Sequence, residues 1–131
     1  MTMGDGSTYA DEPTYTTKEA DAMLPELREQ LGRVRQARQV MLGAAERIEG
    51  PVVADGGGYA DADYWAASKT LRVEVGRLAE QGIVLRDPET GLIDFPGERE
   101  GRRVFLCWRL GDDRVALWHE LDTGCSGRKP L

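Results

Sequence analysis

The spacing of apolar residues changes at Gly82, and no other feature constrains the fold of this chain as strongly. Before Gly82, apolar side chains recur every three or four residues, as in helices that bury one face. After Gly82, the pattern has a period of two and is interrupted by turn-forming residues, as in strands. With 131 residues, 40% of them hydrophobic, the chain can bury one core. We therefore expect a single domain of the α+β class.

The first helical region is predicted over residues 14–50. Thr16 and Glu19 have the spacing of a capping box, in which each side chain accepts a hydrogen bond from the other residue's backbone N–H. Pro25 predicts a kink, or a short helix followed by a longer one. Gly50, followed by a proline, predicts the helix end. An apolar seam with alternating steps of three and four runs along this region: Leu24, Leu27, Leu31, Val34, Met41, Ala45 and Ile48.

A second helix is predicted over residues 61–82, beginning near Asp61 or Asp63 and ending at Gly82. Trp65 and Val73 fall off its seam, and we expect them to cover the rest of the core. Two helices with matching seams, joined by a glycine-rich connector, indicate an antiparallel helical hairpin. The seam of the second helix consists of Tyr64, Ser68, Leu71, Val75 and Leu78.

The hairpin is predicted to pack on a small, mainly antiparallel four-stranded sheet within residues 83–121. A disordered leader (residues 1–13) and a tail (residues 122–131) complete the predicted organisation. The predicted strands cover residues 83–85, 92–95, 104–110 and 115–121, the second ending at Pro96.

The register of the last two strands decides which side chains share a face. If these strands close tightly around residues 111–114, Leu110 faces Val115 and Cys107 faces Trp118. His119 then lies on the opposite face from Cys107. A bulge or a three-residue loop would bring the two onto one face.

The charge distribution bears on partners and location. Six acidic residues and one lysine within residues 1–26 contribute −5 to the net charge of −6, so the remaining body is close to neutral. A neutral body predicts no nucleic-acid partner. No apolar run approaches the ~20 residues that span a bilayer, and no secretory signal is visible, so we expect no membrane partner and a cytoplasmic location. Two cysteines are too few for a disulfide scaffold.

Reactive side chains are concentrated near the end of the chain. Cys107 and His119, with Asp94 or Glu120, have the chemistry of a zinc or iron site. Alternatively, Cys107 is a nucleophile activated by His119 and oriented by Asp94. Arg128 binds an anionic ligand or anchors the tail to a carboxylate.

Each of these residues also has a structural interpretation. Cys107 is then a buried apolar residue, and His119 is a hydrogen-bonded core residue. Glu120 forms a cross-strand ion pair with Arg109. Asp94 satisfies backbone donors in a turn.

The same segment carries the most distinctive motifs of the chain. Residues 91–96 (GLIDFP), 106–108 (LCW), 118–120 (WHE) and 127–128 (GR) follow in that order. In this combination the chain resembles the small bacterial DUF2203 family, a domain of unknown function, from about residue 14 to the end. The family has no established activity, so the resemblance supports the fold and leaves the function open. Cys125 departs from the family pattern, where an aromatic residue is usual. The signature residues of the family correspond to Asp94, Cys107, Trp108, His119, Glu120 and Arg128.

The leading functional hypothesis is a small protein that binds a small-molecule ligand or a divalent metal in a pocket between the sheet and the helices. One alternative is a small metal- or thiol-dependent hydrolase or lyase that uses the same residues. Another is a homodimeric assembly module that pairs through the seam of the first helix. The ligand candidates are Asp94, Cys107, His119, Glu120 and Arg128, and the pocket wall is expected to contain Trp108, Trp118 and Arg109.

Overall fold

Two long helices precede a five-stranded antiparallel sheet in a computed structural model that describes residues 13–49 and 58–131. Most of the predicted leader and the predicted helix end at Gly50 lie outside these residues. The elements are α1 (Thr17–Glu49), α2 (Gly58–Glu80), β1 (Val84–Asp87), β2 (Leu92–Arg99), β3 (Arg102–Arg109), β4 (Leu117–His119), a 3₁₀ turn (Cys125–Gly127) and β5 (Lys129–Pro130).

The N-terminus of α1 is fixed by the predicted capping box. The Thr16 N–H donates to Glu19 Oε1 over 2.8 Å, and the Glu19 N–H donates to Thr16 Oγ1 over 3.0 Å. The helix then continues through Pro25 without dividing in two. The predicted seam is buried from Leu24 to Val34. Farther along, the most deeply buried side chains of α1 are Ala37 and Ala44.

The second helix begins at Gly58, three to five residues before the predicted start at Asp61 or Asp63. It ends as predicted, because the N–H groups of Gly82 and Ile83 bond back to carbonyls in the last turn. A Tyr15 hydroxyl bond to the Gln81 carbonyl, 2.6 Å long, ties this helix end to the segment before α1.

The expectation that Trp65 and Val73 cover the core is wrong, because their side chains are 64% and 42% exposed. The buried stripe of α2 consists of Ala67, Glu74 and Leu78. Trp65 lies two residues before Ala67, which is about 200° around the helix, so it points away from the stripe.

The sheet has the strand order β1-β2-β3-β4-β5, one strand more than predicted. β2 runs through Pro96, where the sequence predicted its end. Proline is tolerated at this position because β1 pairs with β2 only as far as Asp94, which leaves the missing Pro96 N–H on an unpaired edge. The Pro96 carbonyl at that edge accepts the Tyr15 N–H over 2.7 Å.

The predicted register of the β3–β4 pair is wrong by one residue. Phe105 pairs with His119 and Cys107 pairs with Leu117, so Cys107 and His119 lie on one face. The connection between β3 and β4 runs over residues 110–116, longer than the predicted turn at 111–114, and it contacts α1. Asp21 Oδ1 accepts the Val115 N–H over 2.7 Å, and Val115 is buried in the core instead of extending the strand.

The two faces of the sheet have different roles. The face toward the helices is filled by apolar side chains, which pack against Leu24, Leu27 and Leu31 of α1. The predicted pocket between sheet and helices is therefore wrong, since this interface is the hydrophobic core. We use "outer face" for the opposite side of the sheet, which carries Asp94, Phe105, Cys107 and His119. The apolar sheet residues of the core are Ile93, Phe95, Val104, Leu106, Trp108 and Trp118.

Candidate metal centre

Three polar side chains from three separate elements meet on the outer face. Asp94 comes from β2, His119 from β4, and Cys125 from the 3₁₀ turn that follows β4. One donor atom from each lies within 4.8 Å of the other two. Asp94 and His119 are fully buried and Cys125 is partly exposed. This arrangement forms because the β3–β4 register directs the His119 ring across β3 toward β2.

The hydrogen bonds of His119 determine which ring nitrogen is available. Nδ1 lies 2.7 Å from the Glu120 carbonyl oxygen, which only accepts, so Nδ1 carries a proton and donates it. Nε2 lies 2.9 Å from Asp94 Oδ2 and 3.8 Å from Cys125 Sγ. In a neutral ring, Nε2 presents a lone pair to a carboxylate. At 2.9 Å this contact is a hydrogen bond, so a proton lies between Nε2 and Asp94 Oδ2, and a bound metal ion would take the place of that proton.

Asp94 is held by a second partner from the edge strand. Arg86 Nε donates to Oδ2 over 2.7 Å, and the guanidinium also lies 5.0 Å from the centre of the Phe105 ring. The contacts from Arg86 and from His119 both involve Oδ2, and the other carboxylate oxygen, Oδ1, lies 3.8 Å from Cys125 Sγ. Arg86 therefore orients the carboxylate and balances its charge, as groups that support metal ligands commonly do.

The two cysteines of the chain are neighbours, with their Sγ atoms 3.5 Å apart. The Cys107 thiol donates toward Cys125, whose thiol in turn points at Asp94 Oδ1. Burial raises the pKa of Cys107 far above its usual range, and the contact with Cys125 and the charge of Asp94 act in the same direction. Cys107 is therefore a protonated thiol at neutral pH unless a cation displaces the proton.

A narrow cleft of about 180 Å³ lies beside the cysteines. It is smaller than the ~300 Å³ at which pockets for drug-sized ligands begin. A larger groove of about 870 Å³ runs between α1 and α2, away from the cluster. The cleft is lined by Leu92, Cys107, Trp108, Arg109, Asp112, Leu117 and Arg128.

Three of the predicted ligand residues lie outside the three-donor cluster: Cys107 is next to it, and Glu120 and Arg128 have other partners. The Glu120 carboxylate binds Arg102 through two bonds of 3.1 and 2.5 Å, and this guanidinium lowers its pKa. The predicted ion pair between Glu120 and Arg109 is therefore wrong. Arg128 is exposed and donates to the Cys125 carbonyl over 2.9 Å, so it braces the 3₁₀ turn and does not bind a carboxylate there.

The predicted wall residues divide between the two faces. The Trp108 ring is buried in the core, and its Nε1 donates to the Asp112 carbonyl over 3.1 Å. Trp118 is also a core residue, with Arg99 and Lys129 stacked on its ring. Trp108 and Arg109 line the cleft, whereas Trp118 does not.

The geometry differs from that of a thiol–imidazole–carboxylate triad. In a triad, one ring nitrogen faces the nucleophile and the other faces the carboxylate. Here Nε2 faces both Cys125 and Asp94, and Nδ1 is occupied by a backbone carbonyl. The arrangement therefore converges three donors on one point, as a cation site does.

Sequence reasoning missed Cys125 and Arg86. Cys125 was set aside because it departs from the family pattern, although a second cysteine beside glycines was a visible signal. Arg86 stands eight residues before Asp94 across a turn, a separation that indicates cross-strand pairing only once the register is known.

Comparison with known proteins assigns the chain to a family. A family described as "Uncharacterized conserved protein (DUF2203)" matches residues 13–131. The chain belongs to the DUF2203 family. Its membership agrees with the motifs that carry Asp94, Cys107 and His119, but the family description assigns no activity. No curated protein and no solved structure matches the chain significantly. Among the described residues of this DUF2203 protein, neither helix has the apolar length required to cross a membrane.

Proposed function

We propose that the protein binds one divalent transition-metal ion, with zinc the best match, through Asp94, His119 and Cys125. The observation that carries this proposal is the orientation of His119. Its Nδ1–H is committed to a backbone carbonyl, so the Nε2 lone pair, a carboxylate and a thiol converge in a buried position. Imidazole, carboxylate and thiolate are all established zinc ligands.

The distances support tetrahedral coordination. Zinc bonds to nitrogen, oxygen and sulfur imply separations of about 3.3–3.8 Å between ligand atoms. The corresponding distances from Cys125 Sγ to His119 Nε2 and to Asp94 Oδ1 are both 3.8 Å. The third separation, from His119 Nε2 to Asp94 Oδ2, is 2.9 Å, so a bound ion would replace this hydrogen bond and move the two atoms apart by about 0.4 Å.

We assign the fourth position to Cys107, whose Sγ lies 3.5 Å from Cys125 Sγ. Cys107 lies outside the group of donors that are within 4.8 Å of one another, so its side chain would have to move toward the ion. A bound metal ion displaces the thiol proton, because coordinated thiols are deprotonated. The charges then balance. Two thiolates and the Asp94 carboxylate offset the dication and the Arg86 guanidinium, which leaves no net charge in a buried region.

The test is a titration of reduced, metal-free protein with Zn²⁺ and with Co²⁺, whose absorption reports thiolate ligation. We expect one equivalent of either ion to bind, and the thiolate-to-cobalt band to fall to about half in Cys107→Ser or Cys125→Ser. His119→Gln and Asp94→Asn should weaken binding by more than about tenfold.

Glu120→Gln is the matched control, since its carboxylate binds Arg102 outside the donor set. It should retain full affinity, and circular dichroism should verify that every variant is folded. Absence of binding to the wild type, or unchanged affinity in folded His119→Gln and Cys125→Ser proteins, would overturn the proposal.

A further inference from the structure

The two thiols at the cluster have the positions of an attacking and a resolving cysteine. Their Sγ atoms are 3.5 Å apart, and a disulfide requires about 2.05 Å, so a relative movement of about 1.5 Å closes the bond. Cys107 is held within β3, whereas Cys125 begins the three-residue turn Cys125–Gly127, which follows Gly124. The movement therefore falls on the turn.

The difference in exposure between the two cysteines indicates which one reacts first. Cys125 is partly exposed and accessible to a reagent, whereas Cys107 is 3% exposed and borders only the narrow cleft of about 180 Å³.

We propose that Cys107 and Cys125 form a reversible intramolecular disulfide by exchange with a low-molecular-weight disulfide such as oxidised glutathione. The Cys125 thiolate attacks one sulfur of the reagent, forming a mixed disulfide and releasing the first thiol. Cys107 then attacks Cys125 Sγ, the mixed disulfide breaks, and a second thiol leaves. The two protein thiols lose two protons and two electrons, and the reagent disulfide becomes two thiols.

The disulfide also controls the metal site, a consequence that rests on the proposed function. Once the sulfurs are joined, neither is a thiolate, and two of the four assigned donors are lost. Asp94 and His119 alone are insufficient to retain zinc. Oxidation therefore releases the metal, and reduction restores the site.

The test treats the reduced, metal-free full-length chain with oxidised glutathione and follows thiol content and intact mass. We expect both thiols to disappear with the loss of two hydrogens, and a non-reducing digest to contain the Cys107–Cys125 cross-linked peptide. The loop that closes spans 18 positions, so the melting temperature should rise by about 5–10 °C.

Two variants separate the roles of the sulfurs. Cys107→Ser should stop at a stable glutathione adduct on Cys125, and Cys125→Ser should remain unmodified while it is folded. The proposal is overturned if the wild type yields no intramolecular cross-link, or if Cys125→Ser reacts at Cys107 as fast as the unfolded chain does. Ser126→Ala, an exposed neighbour, is the control that should oxidise like the wild type.

The metal-loaded protein distinguishes this inference from the proposed function. Zinc release that parallels disulfide formation supports both. A disulfide in a chain that never binds zinc leaves the disulfide proposal standing and removes the metal site. Zinc binding in a chain that forms no disulfide leaves the metal site standing and removes the disulfide proposal.

Discussion

Asp94 illustrates how one buried charge is compensated. Its side chain has no solvent exposure, and it accepts from the Arg86 guanidinium and lies against the His119 ring. An unpaired carboxylate in such a place would cost several kcal/mol, so these partners are a condition of folding as well as of ligand binding. The sequence identified Asp94 and His119 as candidates but left open that Asp94 only satisfies backbone donors in a turn, because Pro96 predicts that the strand ends beside it.

Two glycines in turns allow a matched comparison of strain and steric conflict. Gly91 and Gly101 have similar backbone angles, φ +75 and φ +79. A Cβ on Gly91 would lie 2.6 Å from the Leu110 Cβ, whereas one on Gly101 would meet nothing within 4 Å. Gly101→Ala should cost about 1 kcal/mol, the penalty for a left-handed conformation, and Gly91→Ala about 3 kcal/mol because the clash is added. If urea denaturation shows equal losses of stability in the two variants, the predicted clash between residue 91 and Leu110 is contradicted.

The pairing of α1 with α2 is not purely apolar. Glu74 of α2 is 5% exposed and binds Arg33 Nε over 2.8 Å, with Gln30 Nε2 at 3.4 Å. The hydrogen bond from Arg33 is the main reason that the pKa of Glu74 lies below its usual value of 4.5. Sequence periodicity identified the helical hairpin but not this ion pair, since charged residues are ordinarily assigned to the solvent.

This pair predicts a defined pH dependence. Because the pKa of Glu74 is lower in the folded than in the unfolded state, its contribution is complete above about pH 4.5 and is lost as the pH falls through the folded-state pKa. Glu74→Gln should therefore cost about 1–3 kcal/mol at pH 7, and its deficit relative to the wild type should shrink below pH 4.5.

Chemical denaturation at a series of pH values measures this effect. Glu89→Gln is the control, because Glu89 is exposed and its ion pair with Arg38 is long, at 4.0 Å. This substitution should change stability by less than about 0.5 kcal/mol. A Glu74→Gln deficit that is constant with pH would assign the cost to packing instead.

The whole molecule is a helical layer on one side of a sheet and a polar cluster on the other. The seam of α1 is buried against the chain's own sheet, with Leu27 at 0% and Leu31 at 1% exposure. These side chains are therefore occupied within the chain, and a homodimer that pairs through them lacks free apolar surface. Whether two copies of the chain associate stays a prediction.

Metal binding should stabilise the molecule because the proposed ligands join β2, β3, β4 and the 3₁₀ turn. At a free zinc concentration about 100 times the dissociation constant, linkage predicts a gain of about 2.7 kcal/mol. Calorimetry of reduced protein should show a higher melting temperature with zinc than with a chelator. The difference should become smaller in Cys125→Ser, which loses one ligand, and persist unchanged in Glu120→Gln. Identical melting curves for the wild type in zinc and chelator would contradict the linkage.

The sequence alone determined the features that depend on near neighbours. The capping box of Thr16 and Glu19, the apolar seam from Leu24 to Val34, the helix end at Gly82 and the α+β class each follow from residues a few positions apart. These interactions are local, so their spacing in the chain is also their spacing in the fold.

Tertiary structure alone decided the register and with it the site. The loop before β4 is held to α1 by a contact from Asp21 to Val115, 94 residues apart, and the register of β4 places His119 on the outer face beside Cys107. Cys125 then reaches Asp94 across 31 residues. A strand alternates its faces with every residue, so a change of register by one residue exchanges every side chain between the core and the outer face, and no local pattern reveals that choice.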